Sequence, residues 1–448
     1  MSREQVGPTA TSIADDVRNG RVQPAAVARE ALDRIAAGND DLHAFVVVRP
    51  DEVLREADAV AVRADLRALP LAGVPVAIKD NVPVTGYPMR NGSLATSDTP
   101  AAADHPVVAR LRGAGAVVVG LTSVPELCLW GATDGADGIA RNPWNRDLTP
   151  GGSSGGAAAA VSSGMVPVAH GNDGMGSIRI PAANCGLVGI KPGLGLVPSE
   201  LGNGSWFGMS ENGPLTTTVA DAALLLSVMA DDPDLAYVDA PETTRIGVAV
   251  ESPSPVVRVD PHFRQAALDV ARELERIGHR TSTAALPYPA SPLGQLARWT
   301  AGGAADAAGL DVSALQKRTR RHIAVGRRAA RFVRPSQTET LTRRMRSYFE
   351  SVDVVLTPAL AAPPIRADRW SERGWAANMA ANIRYAPFAA PWNLLGWPAV
   401  SVPAGLHPES GTPLAVQLAG PPGSERRLLA LAAQIEQHRP WPRTAADR

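Results

Sequence analysis

Two short runs, Val74-Pro75-Val76-Ala77-Ile78 and Ala116-Val117-Val118-Val119, constrain the fold of this chain more than any other feature. Each is apolar at every position rather than at alternate ones, is rich in β-branched residues and is too short for a helix. Strands of that kind are buried on both faces, as in a parallel sheet covered by helices on each side. Helical patterns lie in front of both runs, Val53 to Arg67 before the first and Val107 to Arg112 before the second. The order is βαβ-like and predicts an α/β fold.

The pattern continues along the chain. Pro24 with Val27, Ala31 and Ile35 predicts an early helix with Gly38 as its stop, and Ala44 to Val48 reads as a strand. Val166 to Ala169 reads as a short strand leading into a glycine loop over Gly171 to Gly176. Val219 to Met229, His262 to Ile277 and Arg426 to Gln437 read as helices. Ile246 to Val250, Val352 to Leu356, Ala399 to Val402 and Leu414 to Leu418 read as strands. Between Ser291 and Glu350 the chain turns Ala- and Arg-rich, with Arg318, Arg320, Arg321, Arg327, Arg328, Arg331, Arg343, Arg344 and Arg346. That stretch is expected to be a helical insertion with a solvated basic face. No long linker divides the chain, so one body over 1–448 is expected. It comprises an N-terminal helical layer (1–70), a core (71–230), the insertion (291–350) and the remaining sheet with a last helix (351–448).

Charge narrows the partners. The 448 residues carry 44 basic and 44 acidic side chains, so no net field attracts nucleic acid or an anionic membrane. A small-molecule substrate is expected, with neither nucleic acid nor membrane as partner, and a homodimer stays open. Cys128 and Cys185 are the only cysteines, which suits a reducing compartment and two buried thiols. The start lacks an apolar signal core, and no stretch reaches the ~18 apolar residues of a membrane span. Cytoplasmic residence is the expectation. The eight histidines are scattered and no phosphate-binding loop occurs, so no metal and no cofactor are expected.

Of the 44 basic residues only Lys79, Lys191 and Lys317 are lysine. An amine can lose its proton near neutral pH when desolvated, whereas a guanidinium cannot. Lys79, at the end of the first apolar run, is therefore a candidate base. Lys191 is expected to bond carbonyls near the site and Lys317 to be a solvated charge.

Two glycine-serine segments follow: Pro150-Gly151-Gly152-Ser153-Ser154-Gly155-Gly156, and Asn172-Asp173-Gly174-Met175-Gly176-Ser177-Ile178-Arg179-Ile180-Pro181-Ala182. Gly151 to Gly155 fits Gly-x-Ser-x-Gly, but the polar Asn145 to Pro150 is no strand, as a nucleophile elbow would require. Together with Gly73 to Asn81, Arg141-Asn142-Pro143-Trp144, Gly186 to Pro192 and Gly213-Pro214-Leu215, the two segments resemble the amidase signature family. The likeness is strong over roughly 70–230, with weaker echoes at Asp353 to Pro358 and Trp397 to Pro403. It implies a large twisted mixed sheet flanked by helices, and hydrolysis of linear amides through an acyl-enzyme. By the same resemblance Ser177 is the nucleophile, Lys79 the base, and Ser153 a relay held through a cis peptide bond. Backbone N–H groups of Gly174, Met175, Gly176 and Ser177 form the oxyanion hole, and Ser154, Asp173 and Arg179 support the loop. Cys128 and Trp130 fall where similar enzymes line the acyl pocket. Trp206 and Phe207 are further candidates for its wall.

Met175 departs from the family, which has glycine there. Its N–H survives, but a positive φ would strain the side chain; alternatively the thioether projects into the acyl pocket and narrows it. Three other functions stay open. One is the glutaminase subunit of an amidotransferase, which carries glutamine where this chain has Ile180. A second is acyl transfer to a nucleophile other than water, and a third a non-catalytic homologue lamed by Met175.

Overall fold

The computed structural model of the chain describes residues 7–239, 242–283, 285–288 and 291–447. The N-terminal layer expected from residue 1 is thus described from residue 7. Among the described residues eleven strands form one sheet: β1 (Phe45–Val47), β2 (Pro75–Lys79), β3 (Val117–Thr122), β4 (Val168–Asp173), β5 (Val188–Lys191), β6 (Glu211–Thr216), β7 (Arg245–Val248), β8 (Arg280–Thr283), β9 (Val354–Pro358), β10 (Ala399–Leu406) and β11 (Pro413–Ala419). Their order is β1-β3-β2-β4-β6-β5-β10-β11-β9-β7-β8. β2 runs parallel to β3 and β4, and β7 parallel to β8 and β9; the other pairings are antiparallel. The sheet is therefore mixed, flanked by helices, as the two apolar runs and the resemblance predict.

Those runs are β2 and β3, buried along their whole length, and each fully buried valine or isoleucine contributes about 1.5–3 kcal/mol. The helix Gly155–Ser162 is also buried on every side, which its alanines and glycines allow. A Cβ on Gly156 would lie 2.4 Å from the Ala44 carbonyl oxygen, so only glycine fits there. The helix Val219–Ala230 is capped by Thr218, whose Oγ1 accepts the Asp221 N–H. Asp221 in turn accepts the N–H groups of Ala10 and Thr11 and docks the N-terminal helix Ala10–Arg18.

Three expectations need correction. Gly38 does not end its helix, which runs Pro24–Leu42 to a left-handed His43 (φ 50°). A glycine costs a helix about 1 kcal/mol; here a Cβ would lie 2.8 Å from Met165 Cε, the mobile end of that side chain, and the helix carries Gly38 in its interior without ending. Gly171 belongs to β4, which reaches Asp173, so the glycine loop is shorter than expected. Arg318 is not part of the solvated basic face. It is fully buried in an ion pair with Asp134 (2.6 Å), while the other eight arginines of the cluster are exposed. The insertion is helical, with Leu293–Asp306, Lys317–Ala329 and Pro335–Tyr348. It covers a second apolar cluster that includes Trp130, Trp206, Trp299, Trp392 and Trp397. Among the described residues no helix is long and apolar enough to cross a membrane.

Candidate active site

β2 and β4 are parallel neighbours, so their carboxyl ends bring Lys79 and Asn172 together, the place where open α/β sheets bind ligands. Lys79 is fully buried. Its Nζ stands 2.7 Å from Ser153 Oγ, 2.6 Å from Asn172 Oδ1 and 3.3 Å from the Asn172 carbonyl oxygen. The Asn172 amide is held by its other end, where Nδ2 donates to Asn81 Oδ1 at 2.6 Å. Burial pushes the Lys79 amine below the usual lysine range, and Cys128 and Asp173 pull it partly back.

Ser153 precedes the buried helix Gly155–Ser162, and the peptide joining Gly152 to Ser153 is cis. Ser154 N–H donates to the Ser177 carbonyl oxygen (3.2 Å) and Ser154 Oγ to the Asn172 carbonyl oxygen (3.3 Å), tying the two glycine-serine segments together. Ser153 and Ser177 line one cavity, with no hydrogen bond between them among the described residues.

The loop after β4 is shaped by Asp173. Its Oδ1 accepts from Gly176 N–H (2.6 Å), Arg179 Nη2 (3.0 Å) and Asn393 Nδ2 (2.8 Å), and its Oδ2 from Arg179 Nε (2.9 Å). Burial alone would raise this carboxyl; Arg179, Asn393 and Lys191 outweigh it and hold the group far below the usual carboxylate range. Arg179 also donates to Gln417 Oε1 (2.8 Å) on β11, to Asn393 Oδ1 (2.7 Å) and to the Ala389 carbonyl (3.0 Å). The Gly176 amide, expected among the oxyanion donors, is thus engaged by Asp173. The amides of Gly174, Met175 and Ser177 donate to no protein atom among the described residues.

Met175 is absent from the positive-φ positions; Gly176 takes that conformation instead, with φ 113°. The foreseen strain is therefore not there. Its half-buried side chain instead lines the apolar cavity beside Ser177, as do Cys128, Trp130 and Trp206. Phe207 does not join this wall and is half exposed, because Ser205, Trp206 and Phe207 form a left-handed turn that buries Ser205 and Trp206 and leaves Phe207 outside. Cys185 is fully buried, and Lys191 Nζ donates to the Pro192 carbonyl at 2.7 Å.

Sequence reasoning missed several of these partners. Asn172 is adjacent to Asp173 in the motif, and its place at a strand's end was the available signal. Asn393, Gln417, Trp299 and the Arg318–Asp134 pair lie far away in sequence. Arg318 stacks on Trp130, its guanidinium 5.2 Å from the ring centroid, and Trp130 meets Trp299 edge to face at 6.0 Å. Asp260, His262 and His407 are the described set closest to a metal-binding arrangement. His407 Nδ1, however, accepts the N–H groups of Glu409 and Ser410, so Nε2 carries the proton and is no free ligand. None of the three lines the cavities at Ser177.

Comparison with known proteins gives a consistent result. The Amidase family profile matches residues 26–429. AmiB2 of Mycobacterium tuberculosis is 41% identical over 426 residues, covering 92% of this chain and 91% of that one. An acylamidase of Rhodococcus erythropolis is 33% identical over 467 residues, covering 97% and 96%. Among solved structures, 6-aminohexanoate cyclic dimer hydrolase superposes with a TM-score of 0.88 at 26% identity, over 97% of each chain.

Proposed function

The chain belongs to the amidase family and is an amide-hydrolysing enzyme, and from that premise we propose that it works through an acyl-enzyme on Ser177, with Ser153 as relay and Lys79 as base. One observation carries the reading. A neutral amine has two N–H donors and one lone pair. Two of the three oxygens around Lys79 Nζ are amide carbonyls of Asn172, which only accept. The third belongs to the Ser153 hydroxyl, which can donate. When Lys79 is neutral its N–H groups are taken by Asn172 and its lone pair is left for Ser153.

The steps follow. Ser177 Oγ attacks the amide carbonyl while its proton passes to Ser153 and the Ser153 proton passes to Lys79. The new oxyanion meets the unengaged N–H groups of Gly174, Met175 and Ser177, where one such donor lowers a barrier by about 3–4 kcal/mol. Collapse breaks the C–N bond as Lys79 returns a proton through Ser153 to the departing nitrogen. Water then attacks the acyl-enzyme along the same path and releases the acid. Asp173 and Arg179 keep the loop in shape throughout. The unbroken sheet supports one catalytic unit, with the 291–350 insertion as a wall of the site.

A fluorophosphonate probe tests the assignment. The folded enzyme should acquire one adduct, located on Ser177 by peptide mass spectrometry, and Ser177→Ala should lose both adduct and turnover while melting normally. Full labelling of Ser177→Ala, or no labelling of the folded enzyme, would rule the nucleophile out.

A further inference from the structure

Two cavities meet at Ser177, one mostly apolar and the other of mixed polar and apolar lining. One, of about 350 Å³, is lined by Met175, Ile180, Leu296, Trp130 and Trp299, and no charged side chain reaches it among the described residues. The other, of about 280 Å³, sets Asn91, Asn203, Ser210 and Asp306 beside Leu201 and Leu310, and Asp306 is its one charged lining residue among those described. Cys128, Ser177 and Trp206 belong to both. The scissile bond therefore sits at a junction, with one half of the substrate on each side.

Which half goes where follows from the proton path. The relay must hand its proton to the departing nitrogen, so the nitrogen lies on the side that Ser153 faces. Ser153 lines the polar cavity and not the apolar one, to which its neighbour Gly152 contributes instead. We propose that the enzyme cleaves amides of an apolar acyl group with a polar amine: the acyl portion fills the tryptophan-walled chamber, and an amine bearing hydroxyl or ammonium donors fills the chamber of Asn91, Asn203 and Asp306. This rests on the relay role given to Ser153.

Trp206 is the partition. Its indole N–H donates to Asp306 Oδ2 at 2.6 Å, and Asp306 Oδ1 accepts the Asn203 N–H at 2.6 Å. A Cβ on Gly302 of the insertion helix would lie 2.6 Å from the indole, and one on Gly174 would lie 2.7 Å from it. The ring is wedged between insertion and oxyanion loop. Burial raises the Asp306 carboxyl above its ordinary range despite these two donors, and a cationic amine beside it would favour the carboxylate form.

Four amides decide the matter, three of matched size and one small control: 4-phenylbutanoyl coupled to 1,2-diaminoethane or to butylamine, 4-hydroxybutanoyl coupled to phenethylamine, and, as the control, 4-hydroxybutanoyl coupled to 1,2-diaminoethane. The first should exceed the phenethylamide in kcat/KM by at least about tenfold, since polar sites reject partners that leave them unpaired. In Asp306→Asn the preference for the diaminoethane over the butylamine amide of the same acid should fall about tenfold. Equal rates, or a preference for the polar acyl with the apolar amine, overturn the chamber assignment. So does failure to cleave any of the four while Ser177 still takes the fluorophosphonate. Loss of that labelling as well would instead overturn the acyl-enzyme reading beneath it.

Discussion

The side-chain carbonyl of Asn172 lies 2.6 Å from Lys79 Nζ, and the two residues close the ends of neighbouring parallel strands. Asn172 thereby sets which way the lysine lone pair points. The charged or titratable groups acting on the amine are Cys128 and Asp173, which favour its charged form, and His170, which burial keeps neutral with a pKa of about 3. The proposed base role needs the neutral amine, so kcat/KM should rise with pH through a value below the ordinary lysine range. Asn172→Asp places a carboxylate against the amine and favours the ammonium, so the acid limb should move to higher pH by about one unit or more. Asn172→Ala should lower kcat without that displacement. Lys79→Arg should remove almost all turnover at every pH. The pH profiles of kcat/KM check all three.

Met175 has an ordinary backbone conformation, with the positive φ left to Gly176. Met175→Gly should therefore relieve nothing. It should cost about 1–2 kcal/mol through added chain entropy and lost apolar contact, and enlarge the acyl chamber. Thermal melts together with kcat/KM for short and bulky acyl anilides test this: stability should fall while the bulky acyl gains on the short one.

Arg318 and Asp134 are a buried pair, and Asp134 also accepts the Ser371 N–H at 2.6 Å. Arg318→Leu strands the carboxylate and should destabilise by about 3–5 kcal/mol. Adding Asp134→Asn should recover part of the loss. Because the guanidinium packs on Trp130, KM for apolar acyl substrates should rise even in the rescued double variant. Urea melts and steady-state kinetics give the two readouts.

Asp80 follows Lys79 and is buried, with Oδ2 unpartnered. Burial raises its pKa from 3.8 to about 7, although Arg90 N–H donates to Oδ1. A carboxyl whose folded value lies above its unfolded one favours the fold fully below the unfolded pKa and loses that contribution as pH rises through about 7. Asp80→Asn keeps the acceptor and removes the titration. The difference in Tm, variant minus parent, should grow between pH 5 and pH 8, and a flat difference would refute this account.

What the sequence made legible was local. β2 and β3 follow from runs too apolar to face water, and Lys79, Ser153 and Ser177 come from motifs whose parts sit within a few residues of one another. What stayed hidden depends on contacts distant in sequence. Gly38 reads as a stop, yet the helix runs through it to Leu42, where the left-handed His43 ends it. Arg318 reads as one of nine surface charges until the helix Lys317–Ala329 turns Arg318, His322 and Gly326 to one buried face. Trp206 and Phe207 are indistinguishable as letters, and only the left-handed turn decides that one is wall and the other is surface. Asn393 and Gln417 carry no local mark of their hold on the loop that bears Ser177.

That hold has a consequence in time. β10 and β11 enter the middle of the sheet, between β5 and β9, yet they are made after every other strand of that sheet. Arg179 and Asp173 wait for Ala389, Asn393 and Gln417 before the segment bearing Ser177 has its full set of tethers. A nascent chain halted before residue 389 holds every residue of the proposed triad but not the scaffold that shapes it. On the proposed triad, hydrolytic competence thus waits until the chain has been made past Gln417 and has folded back onto Arg179.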